Sequence, residues 1–396
     1  MTNRPLHAVL LSGVADALRL IAPLRAALDG TGPAILPLDA TQPAARLREL
    51  ITVFDPDVVL GGDGETRVRS SAGAWGISPD TAVIIGTSGS TGEPKGVELS
   101  AAALEHSARA SLSRVGARPG DRWLCCLPVS HVAGLQVLVR SLVSGTDPVV
   151  TPTATAATLA VSGCAHISLV PTQLIRLLDA EGGAAALAGF SSVLVGGAAA
   201  GPAALERARA AAIAVRTTYG MSETCGGCVY DGIPLDGVRV RAGRDGRLRI
   251  SGPVLMNRYH GRQDLTAEVL HDQEFVTSDL GHVEDGRVVI RGRADDVINT
   301  GGHKVIPGEV AAALESCPGV REVVVVGLPD QEWGERVTAI VVPVDQANPP
   351  GLQLLRKHVG ARLPRYACPS EVVLREAIPV LPSGKPDLAA LKETRT

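Results

Sequence analysis

The chain has 396 residues, of which 38 are Lys or Arg and 41 are Asp or Glu, giving a formal net charge of −3. This balance, without a basic stripe, argues against a nucleic-acid partner. No apolar run approaches the roughly 18 residues of a membrane span, and the first twenty residues lack a signal-peptide cleavage pattern. We therefore expect a cytoplasmic protein of two or three domains, without integral membrane contact.

Short apolar runs alternate with helical patterns up to about residue 290. This alternation predicts parallel strands joined by crossover helices. Ser100 is a plausible N-cap for a helix predicted at 100–116. The clearest predicted elements are a buried strand at 81–86, a helix at 100–116, a strand at 122–130 and a helix at 131–145.

After Gly226 the pattern changes to short strands separated by turns. Asp-Gly pairs at 245–246 and 285–286 fall in the middle of two such stretches, 238–255 and 275–293. Asp-Gly between alternating strands is typical of a β-hairpin. The sequence therefore predicts a small antiparallel β subdomain over about 228–293.

We expect a domain boundary at 293/294, followed by an α+β region over 294–396. Pro307 and Glu309 suit a first helical turn, and two strands and a helix follow at 320–327, 336–344 and 352–361. The predicted fold class is α/β. A large N-terminal domain, 1–293, contains parallel or mixed sheets with helices and the β subdomain, and a small α+β domain follows.

The stretch "GTSGSTGEPKG", residues 86–96, is rich in glycine and hydroxyl side chains and ends with Lys95. Exposed backbone N–H groups, hydroxyls and a lysine together favour a polyphosphate. Because the stretch follows a predicted strand, we interpret it as a phosphate loop that precedes a helix. Its spacing excludes a Walker A motif and a G-x-S-x-G nucleophile elbow.

Seven cysteines are scattered along the chain, and Cys225 and Cys228 form a C-x-x-C pair. A structural zinc site needs a second pair at suitable spacing, and none is present. A thioredoxin-like motif would open a helix after a strand, whereas this pair lies in a Gly-rich turn. We therefore predict free, partly buried thiols.

The loop resembles the phosphate loop of the adenylate-forming superfamily, which includes acyl-CoA synthetases, nonribosomal adenylation domains and luciferases. Five further motifs resemble that superfamily in its order, although Ser278 replaces the usual Gly of the third. They are "VLVGGAAAGP" (193–202), "YGMSETCGG" (219–227), "TSDLG" (277–281), "RGRADDVINTGGHKVIPGEV" (291–310) and "LPSGKPDLAALK" (381–392).

The resemblance implies two steps, in which a carboxylate and ATP give an acyl-adenylate and pyrophosphate, and the thiol of coenzyme A then displaces AMP. Glu223 would ligate Mg²⁺, Ser222 would donate to the α-phosphate, Tyr219 would stack on adenine, and Asp279 and Arg293 would bind the ribose. The remaining implied nucleotide-binding residues are Thr87, Ser88, Gly89, Ser90, Thr91, Gly92, Lys95, Gly197, Ala198, Ala199, Gly220 and Met221.

The resemblance also implies that the C-terminal domain is mobile, with a hinge at Asp295. Lys385 would be the catalytic lysine that bridges the carboxylate and the α-phosphate during adenylation. After rotation of the domain, Gly301 and Gly302 would line a pantetheine tunnel, and Lys304 would lie near phosphates of the nucleotide or of CoA.

Within the superfamily, "LPVSHVAGLQVLVRSL" (127–142) and "ISLVPTQLIRLL" (167–178) most resemble 2-succinylbenzoate–CoA ligases of menaquinone biosynthesis, in their actinobacterial branch. By analogy the succinyl carboxylate would be activated. His131 would stand beside the reacting group. The implied acyl pocket comprises His131, Thr172, Gln173, Gly196, Gly197 and Gly226, with Ser222 and a loop Arg as further donors.

Three other interpretations remain open at this point. The chain could activate another aryl or medium-chain acid for CoA, load a carrier protein instead of CoA, or bind a nucleotide without catalysis. The expected partners are a small carboxylate and CoA, and a homodimer is compatible with the sequence.

Overall fold

The computed structural model describes residues 4–62, 64–67, 76–88, 93–381 and 385–393. These residues form two compact units. The first contains the described residues of Met1–Gly197, Ala208–Val240 and Ile250–Val276, and the second those of Ala198–Arg207, Arg241–Arg249 and Thr277–Thr396. The predicted boundary at 293/294 separates the N-terminal domain from a C-terminal domain expected to be mobile, and it stays a prediction.

The first sheet is built from the N-terminal hundred residues. Parallel pairs join β1 to β2, β1 to β3 and β2 to β5, while β3–β4 and β5–β6 are antiparallel. Leu36, Phe54 and Ile84 lie in its core. The elements are β1 (Leu6–Leu11), α1 (Ile21–Leu28), β2 (Ala34–Asp39), α2 (Ala44–Phe54), β3 (Val58–Gly61), β4 (Gly64–Arg67), β5 (Thr81–Ser88) and β6 (Pro94–Ser100).

The predicted phosphate loop lies between two strands of a hairpin, so the expectation that it precedes a helix was wrong. Val97 and Leu99 are buried on β6, and the helix begins only at Ala101. Gly86 and Gly96 are paired across the hairpin. A Cβ atom at Gly96 would lie 2.9 Å from the Phe54 ring. Close packing of the hairpin on the core therefore requires glycine at this position.

The second sheet follows, and its strands β8, β7, β9, β10 and β11 run parallel in that order, with β12 and β13 antiparallel at one edge. Carboxyl ends of parallel strands meet at one edge, where α/β enzymes bind ligands. The elements are α3 (Ala101–Val115), β7 (Trp123–Cys125), α4 (Val132–Val143), β8 (Val149–Val150), α5 (Ala156–Ala160), β9 (His166–Leu169), α6 (Pro171–Asp179), α7 (Gly183–Ala188), β10 (Ser192–Val195), α8 (Pro202–Ala210), β11 (Val215–Met221), β12 (Gly226–Tyr230) and β13 (Ile233–Pro234).

The sequence predicted the helices of this region better than its strands. Ser100 caps α3 by accepting a hydrogen bond from the Ala103 N–H at 3.1 Å, as expected. The helix expected at 131–145 is present as α4, whereas the strand expected at 122–130 covers only Trp123–Cys125.

The next segment contains the two predicted hairpins. Asp285 and Gly286 both have positive φ, 48° and 75°, as a two-residue hairpin turn requires. The short strand β16 pairs with β6 and so extends the first sheet. The elements are β14 (Arg239–Ala242), β15 (Arg247–Ser251), β16 (Arg258–Tyr259), α9 (Gln263–Val269), β17 (Leu270–His271), β18 (Glu274–Glu284) and β19 (Arg287–Arg293).

The C-terminal region forms a sheet in the order β21–β20–β23–β22, with β24 parallel to β23. Val310 and Leu314 of its first helix pack with Leu355 and Val359 of the second. Pro307 is the first helical residue, as predicted. The elements are β20 (Ile298–Thr300), β21 (His303–Val305), α10 (Pro307–Glu315), β22 (Val320–Asp330), β23 (Gly334–Pro343), α11 (Leu352–Gly360), β24 (Glu371–Leu374) and α12 (Leu388–Glu393).

Candidate active site

Lys95 stands opposite Thr87 on the β5–β6 hairpin. The Thr87 hydroxyl donates to the Lys95 carbonyl at 3.3 Å, which ties the two strands together at the loop. The Lys95 Nζ lies 5.6 Å from the ring centroid of Tyr259. Of the other predicted loop residues, Gly89, Ser90, Thr91, Gly92 and the side chain of Ser88 lie outside the described residues.

Glu223 lies in a tight turn between β11 and β12. The Met221 N–H donates to Oγ1 of Thr224 at 3.0 Å, and this hydroxyl donates to the Gly226 carbonyl at 2.8 Å. A Cβ atom at Gly220 would lie 1.9 Å from the Gly226 carbonyl oxygen, so the turn needs glycine there. The predicted residues Tyr219 and Ser222 are half-buried in the same segment.

Tyr259 is a residue of this site that sequence reasoning missed. Its hydroxyl donates to Oε1 of Glu223 at 2.7 Å, and the residue is only 5% exposed. Burial and the neighbouring Glu223 charge raise the pKa of Tyr259. The phenol therefore stays protonated and donates. Its signal was weak, because Tyr259 lies on a two-residue strand outside the recognised motifs.

The chemistry of Glu223 fits a magnesium ligand. One carboxylate oxygen accepts the Tyr259 hydroxyl, and a carboxylate has further lone pairs for a hard cation. Lys95 and Glu223 thus contact opposite parts of one buried phenol.

A buried charge cluster underlies this arrangement. Glu98 on β6 is fully buried, with Nε of Arg258 at 3.1 Å and Nδ1 of His260 at 2.9 Å. Burial alone would raise the pKa of Glu98, but the His260 hydrogen bond and the Arg258 charge lower it overall. These two partners flank Tyr259 in sequence, so Glu98 anchors the strand that carries the phenol.

The predicted adenine-side loop begins where β10 ends. A Cβ atom at Gly196 would lie 2.1 Å from the Thr218 hydroxyl, so this glycine is required by the neighbouring strand β11. Gly197 has a φ of 84°, which favours glycine. Ala198 and Ala199 continue the loop and are half-buried and exposed respectively.

Two of the residues predicted for the acyl pocket, His131 and Gly226, lie near the N-terminal half of α4. His131 occupies the N-cap position with φ −107°, and its side chain does not cap the helix. Gly226 faces the helix, because a Cβ atom there would lie 3.4 Å from Cγ of Gln136 and 3.7 Å from Cγ2 of Val132. A side chain at Gly226 would therefore fill this space.

The two predicted pocket residues on α6 differ. Thr172 is half-buried in the first turn of α6. The Gln173 Oε1 accepts from the Val170 N–H at 3.0 Å, and its Nε2 donates to the Cys126 carbonyl at 3.5 Å. Gln173 thus caps the first turn of α6, and its place in the acyl pocket stays a prediction.

Arg140 is a second residue that sequence reasoning missed. It is 5% exposed and lies on the α4 stripe of Val132 and Gln136. Its Nη2 donates to Ser168 at 3.0 Å, its Nη1 donates to Ser111 at 3.3 Å, and its guanidinium lies 4.1 Å from the Trp123 ring centroid. Burial lowers the pKa of Arg140. No carboxylate among the described residues forms an ion pair with it.

Two further polar atoms near Arg140 lack hydrogen-bond partners within the described part of the chain. They are Oε1 of Gln136 and Nε1 of Trp123, and Nε of Arg140 itself is also unpartnered. Buried polar atoms are normally satisfied, so such a group needs an explanation. Gln136, one helical turn before Arg140, is the member of this group next to Gly226, because a Cβ atom there would lie 3.4 Å from its Cγ.

The second unit brings together the predicted ribose and hinge residues. Asp279 and Arg293 are paired across β18 and β19, with Oδ1 and Nη1 3.5 Å apart. Arg293 also contacts Asp295 at 2.9 Å and Asp296 at 4.0 Å. Burial would lower the pKa of Arg293, but these three carboxylates raise it overall.

The predicted CoA residues lie in the turn between β20 and β21. Gly301 and Gly302 have φ of 56° and 80°, and Lys304 is exposed on β21. A Cβ atom at Gly301 would lie 2.6 Å from the Trp333 ring, whereas Gly302 faces open space. Lys385 is exposed, and its carbonyl accepts from the Leu381 N–H at 2.8 Å.

All seven cysteines are free, which confirms the prediction of free thiols, but Cys225 and Cys228 are fully rather than partly buried. Burial raises the pKa of both thiols, that of Cys228 to about 12. Among the helices of the described residues, none is long and apolar enough to cross a membrane.

The α/β fold with a lysine-bearing, glycine-rich hairpin beside a glutamate turn defines a nucleotide-binding enzyme. Residues 38–258 match the family model described as AMP-binding enzyme, and residues 309–385 match that of the AMP-binding enzyme C-terminal domain. The chain belongs to the AMP-binding enzyme family. The resemblance to adenylate-forming enzymes, the fold class and the assignment as a ligase are thereby confirmed.

Individual relatives carry more specific names. The chain is 44% identical to a probable 2-succinylbenzoate–CoA ligase of Mycobacterium tuberculosis, over 80% of this chain and 85% of that protein. The o-succinylbenzoate CoA synthetase MenE of Bacillus subtilis, solved with the acyl-adenylate intermediate OSB-AMP, is 25% identical with a TM-score of 0.76, covering 99% of this chain and 88% of that one. ATP-bound MatB of Rhodopseudomonas palustris shares the fold, with 24% identity and a TM-score of 0.85 over 100% and 89% of the two chains.

Proposed function

We propose that this protein is an ATP-dependent acid–thiol ligase that acts on 2-succinylbenzoate in menaquinone biosynthesis. The succinyl carboxylate attacks the α-phosphate of ATP, so that the acyl-adenylate forms and pyrophosphate leaves. The thiol of coenzyme A then attacks the acyl carbon and releases AMP, which yields 2-succinylbenzoyl-CoA. The 44% identity to the mycobacterial ligase supports this reaction.

The observation that carries the choice of acid is Arg140. 2-Succinylbenzoate keeps a second carboxylate that does not react. A buried cation without an anionic partner is costly, and among the described residues this guanidinium donates to two serine hydroxyls and lies over the Trp123 ring, with no carboxylate paired to it. A benzoate carboxylate entering past Gly226 would supply the missing charge and accept from the unpartnered Nε. A monocarboxylic acid would not.

The remaining roles are proposals that follow from the same reaction. Lys95 holds the β- and γ-phosphates, and Glu223 would hold a Mg²⁺ ion that offsets their charge. Asp279 accepts from the ribose hydroxyls, with Arg293 behind it. Lys385 serves adenylation, Asp295 is the hinge of a mobile domain 294–396, and Gly302 and Lys304 serve CoA.

A panel of carboxylic acids tests the proposal, with pyrophosphate release measured in the presence of ATP, Mg²⁺ and CoA. We expect 2-succinylbenzoate to be preferred over 3-benzoylpropionate, which has the same reacting arm but lacks the benzoate carboxylate. Removing the buried charge in Arg140→Met should lower kcat/KM for 2-succinylbenzoate about 30- to 5,000-fold, as loss of a charged buried contact does, and spare the analogue. An equal loss for both acids would contradict the role of Arg140. Preference for an unrelated acid would contradict the substrate.

A further inference from the structure

Tyr259 contacts two residues of the proposed triphosphate site, Glu223 and Lys95. Its hydroxyl donates to Oε1 of Glu223 at 2.7 Å, and its ring centroid lies 5.6 Å from Nζ of Lys95. Its 5% exposure keeps water from competing for these contacts. One side chain therefore contacts both Glu223, the proposed metal ligand, and Lys95, the lysine proposed to bind phosphate.

The backbone around Tyr259 is fixed independently of its hydroxyl. The Met256 N–H donates to the Glu223 carbonyl at 2.8 Å, and the His260 N–H donates to the Gly96 carbonyl at 2.7 Å. The Tyr259 N–H donates to Oγ1 of Thr266 at 2.9 Å. The segment is thus held between the glutamate turn and the hairpin, and loss of the hydroxyl would leave this framework in place.

An ionised carboxylate only accepts hydrogen bonds, and a phenol can donate only one. The bond from Tyr259 therefore occupies Oε1 of Glu223 and restricts rotation of the carboxylate. Oε2 keeps its lone pairs for a cation. A glutamate side chain without such a bond would lose more rotamer freedom on binding a metal.

We propose that Tyr259 is a positioning residue for metal-dependent ATP binding, an inference that rests on the function proposed above. Its hydroxyl fixes the Glu223 carboxylate through Oε1, so that Oε2 would be available to hold a Mg²⁺ ion. Its ring holds the Lys95 ammonium on the phosphate side of the hairpin. Tyr259 itself touches neither the acyl group nor the reacting phosphorus.

The variant Tyr259→Phe tests this role, because it removes one oxygen and keeps the ring. We expect the Mg²⁺ concentration for half-maximal ATP–pyrophosphate exchange to rise about 10-fold or more, as expected for losing a hydrogen bond to a charged group. Binding of Mn²⁺ in the presence of ATP, followed by electron paramagnetic resonance, should weaken similarly. Affinity for AMP without metal and conversion of pre-formed acyl-adenylate to thioester should not change.

Two matched variants distinguish the outcomes. Thr266→Val removes the hydrogen bond that the Tyr259 N–H donates to Oγ1 of Thr266, and it should lower Tm without changing the Mg²⁺ dependence. If Thr266→Val raises the Mg²⁺ requirement as much as Tyr259→Phe, general loosening explains the effect and the inference is overturned. Glu223→Gln tests the metal site itself.

The inference also fails by itself if Glu223→Gln weakens metal binding while Tyr259→Phe behaves as wild type. If Glu223→Gln leaves metal binding intact, the magnesium assignment within the proposed function is wrong. That result differs from a failure of the Tyr259 inference alone, because it removes the metal ligand on which the interpretation of both Glu223→Gln and Tyr259→Phe depends.

Discussion

Two buried charges of the first unit have opposite surroundings. Glu98 is fully buried between Arg258 and His260, and the two partners lower its pKa despite burial. Arg140 is also buried, but among the described residues it donates to hydroxyls and lies over the Trp123 ring without a carboxylate partner. A compensated charge belongs to the framework, whereas an uncompensated one marks a place where a ligand can provide the missing partner.

The strongest test of this contrast is Glu98→Ala. The change leaves Arg258 and His260 without their anion, and breaking a buried ion pair costs about 3–5 kcal/mol. Urea unfolding should show this loss in the free energy of unfolding. The exposed pair of Glu105 and Arg109, 3.3 Å apart, provides the control, because Glu105→Ala should cost less than about 1 kcal/mol. Equal costs for the two variants would break the contrast.

Removing the Arg140 charge should affect the free energy of unfolding differently from removing Glu98. Replacing a poorly compensated buried charge with an apolar side chain of similar size is often neutral, or stabilising by about 1–4 kcal/mol. We therefore expect Arg140→Met to leave the free energy of unfolding unchanged or to raise it, in the same urea measurement without ligand. Added 2-succinylbenzoate should raise the Tm of the wild type and not that of the variant. A loss as large as that of Glu98→Ala would show that Ser111, Ser168 and Trp123 already compensate Arg140.

The smallest effect is a pH dependence from Glu98. Its folded pKa lies below its unfolded value. Its contribution to stability is therefore full above the unfolded pKa of about 4.3 and is lost as pH falls through the folded pKa. Unfolding free energies measured between neutral and acid pH should fall more steeply for the wild type than for Glu98→Gln. Parallel curves would mean that Glu98 does not titrate differently in the two states.

The local signals of the fold were readable from the sequence. Asp285-Gly286 formed the predicted turn, and Ser100 and Pro307 began the predicted helices, because turns and caps depend on neighbours in the chain. The hairpin position of the phosphate loop was missed. The pairing of Gly96 with Gly86 and their contact with Phe54 are long-range packing, which periodicity does not report.

The same limit applies to the site. Lys95 and Glu223 were found through motifs, but Tyr259 is separated from both in sequence and meets them only in the folded sheet. Arg140, near the end of an apolar helix, has the pattern of an ordinary C-terminal cation. Only its burial distinguishes it. The sequence did not show that Gln173 also caps α6, where its Oε1 accepts from the backbone N–H of Val170.

The strand β16 has a consequence for synthesis of the protein. It covers the outer edge of β6, where Arg258 and Tyr259 pair with Glu98 and Val97. An open strand edge is a template for pairing between chains. On the ribosome this edge stays uncovered until Tyr259 has emerged, long after the β5–β6 hairpin can form. Fragments that end before Asn257 would keep this edge uncovered, so we expect them to aggregate.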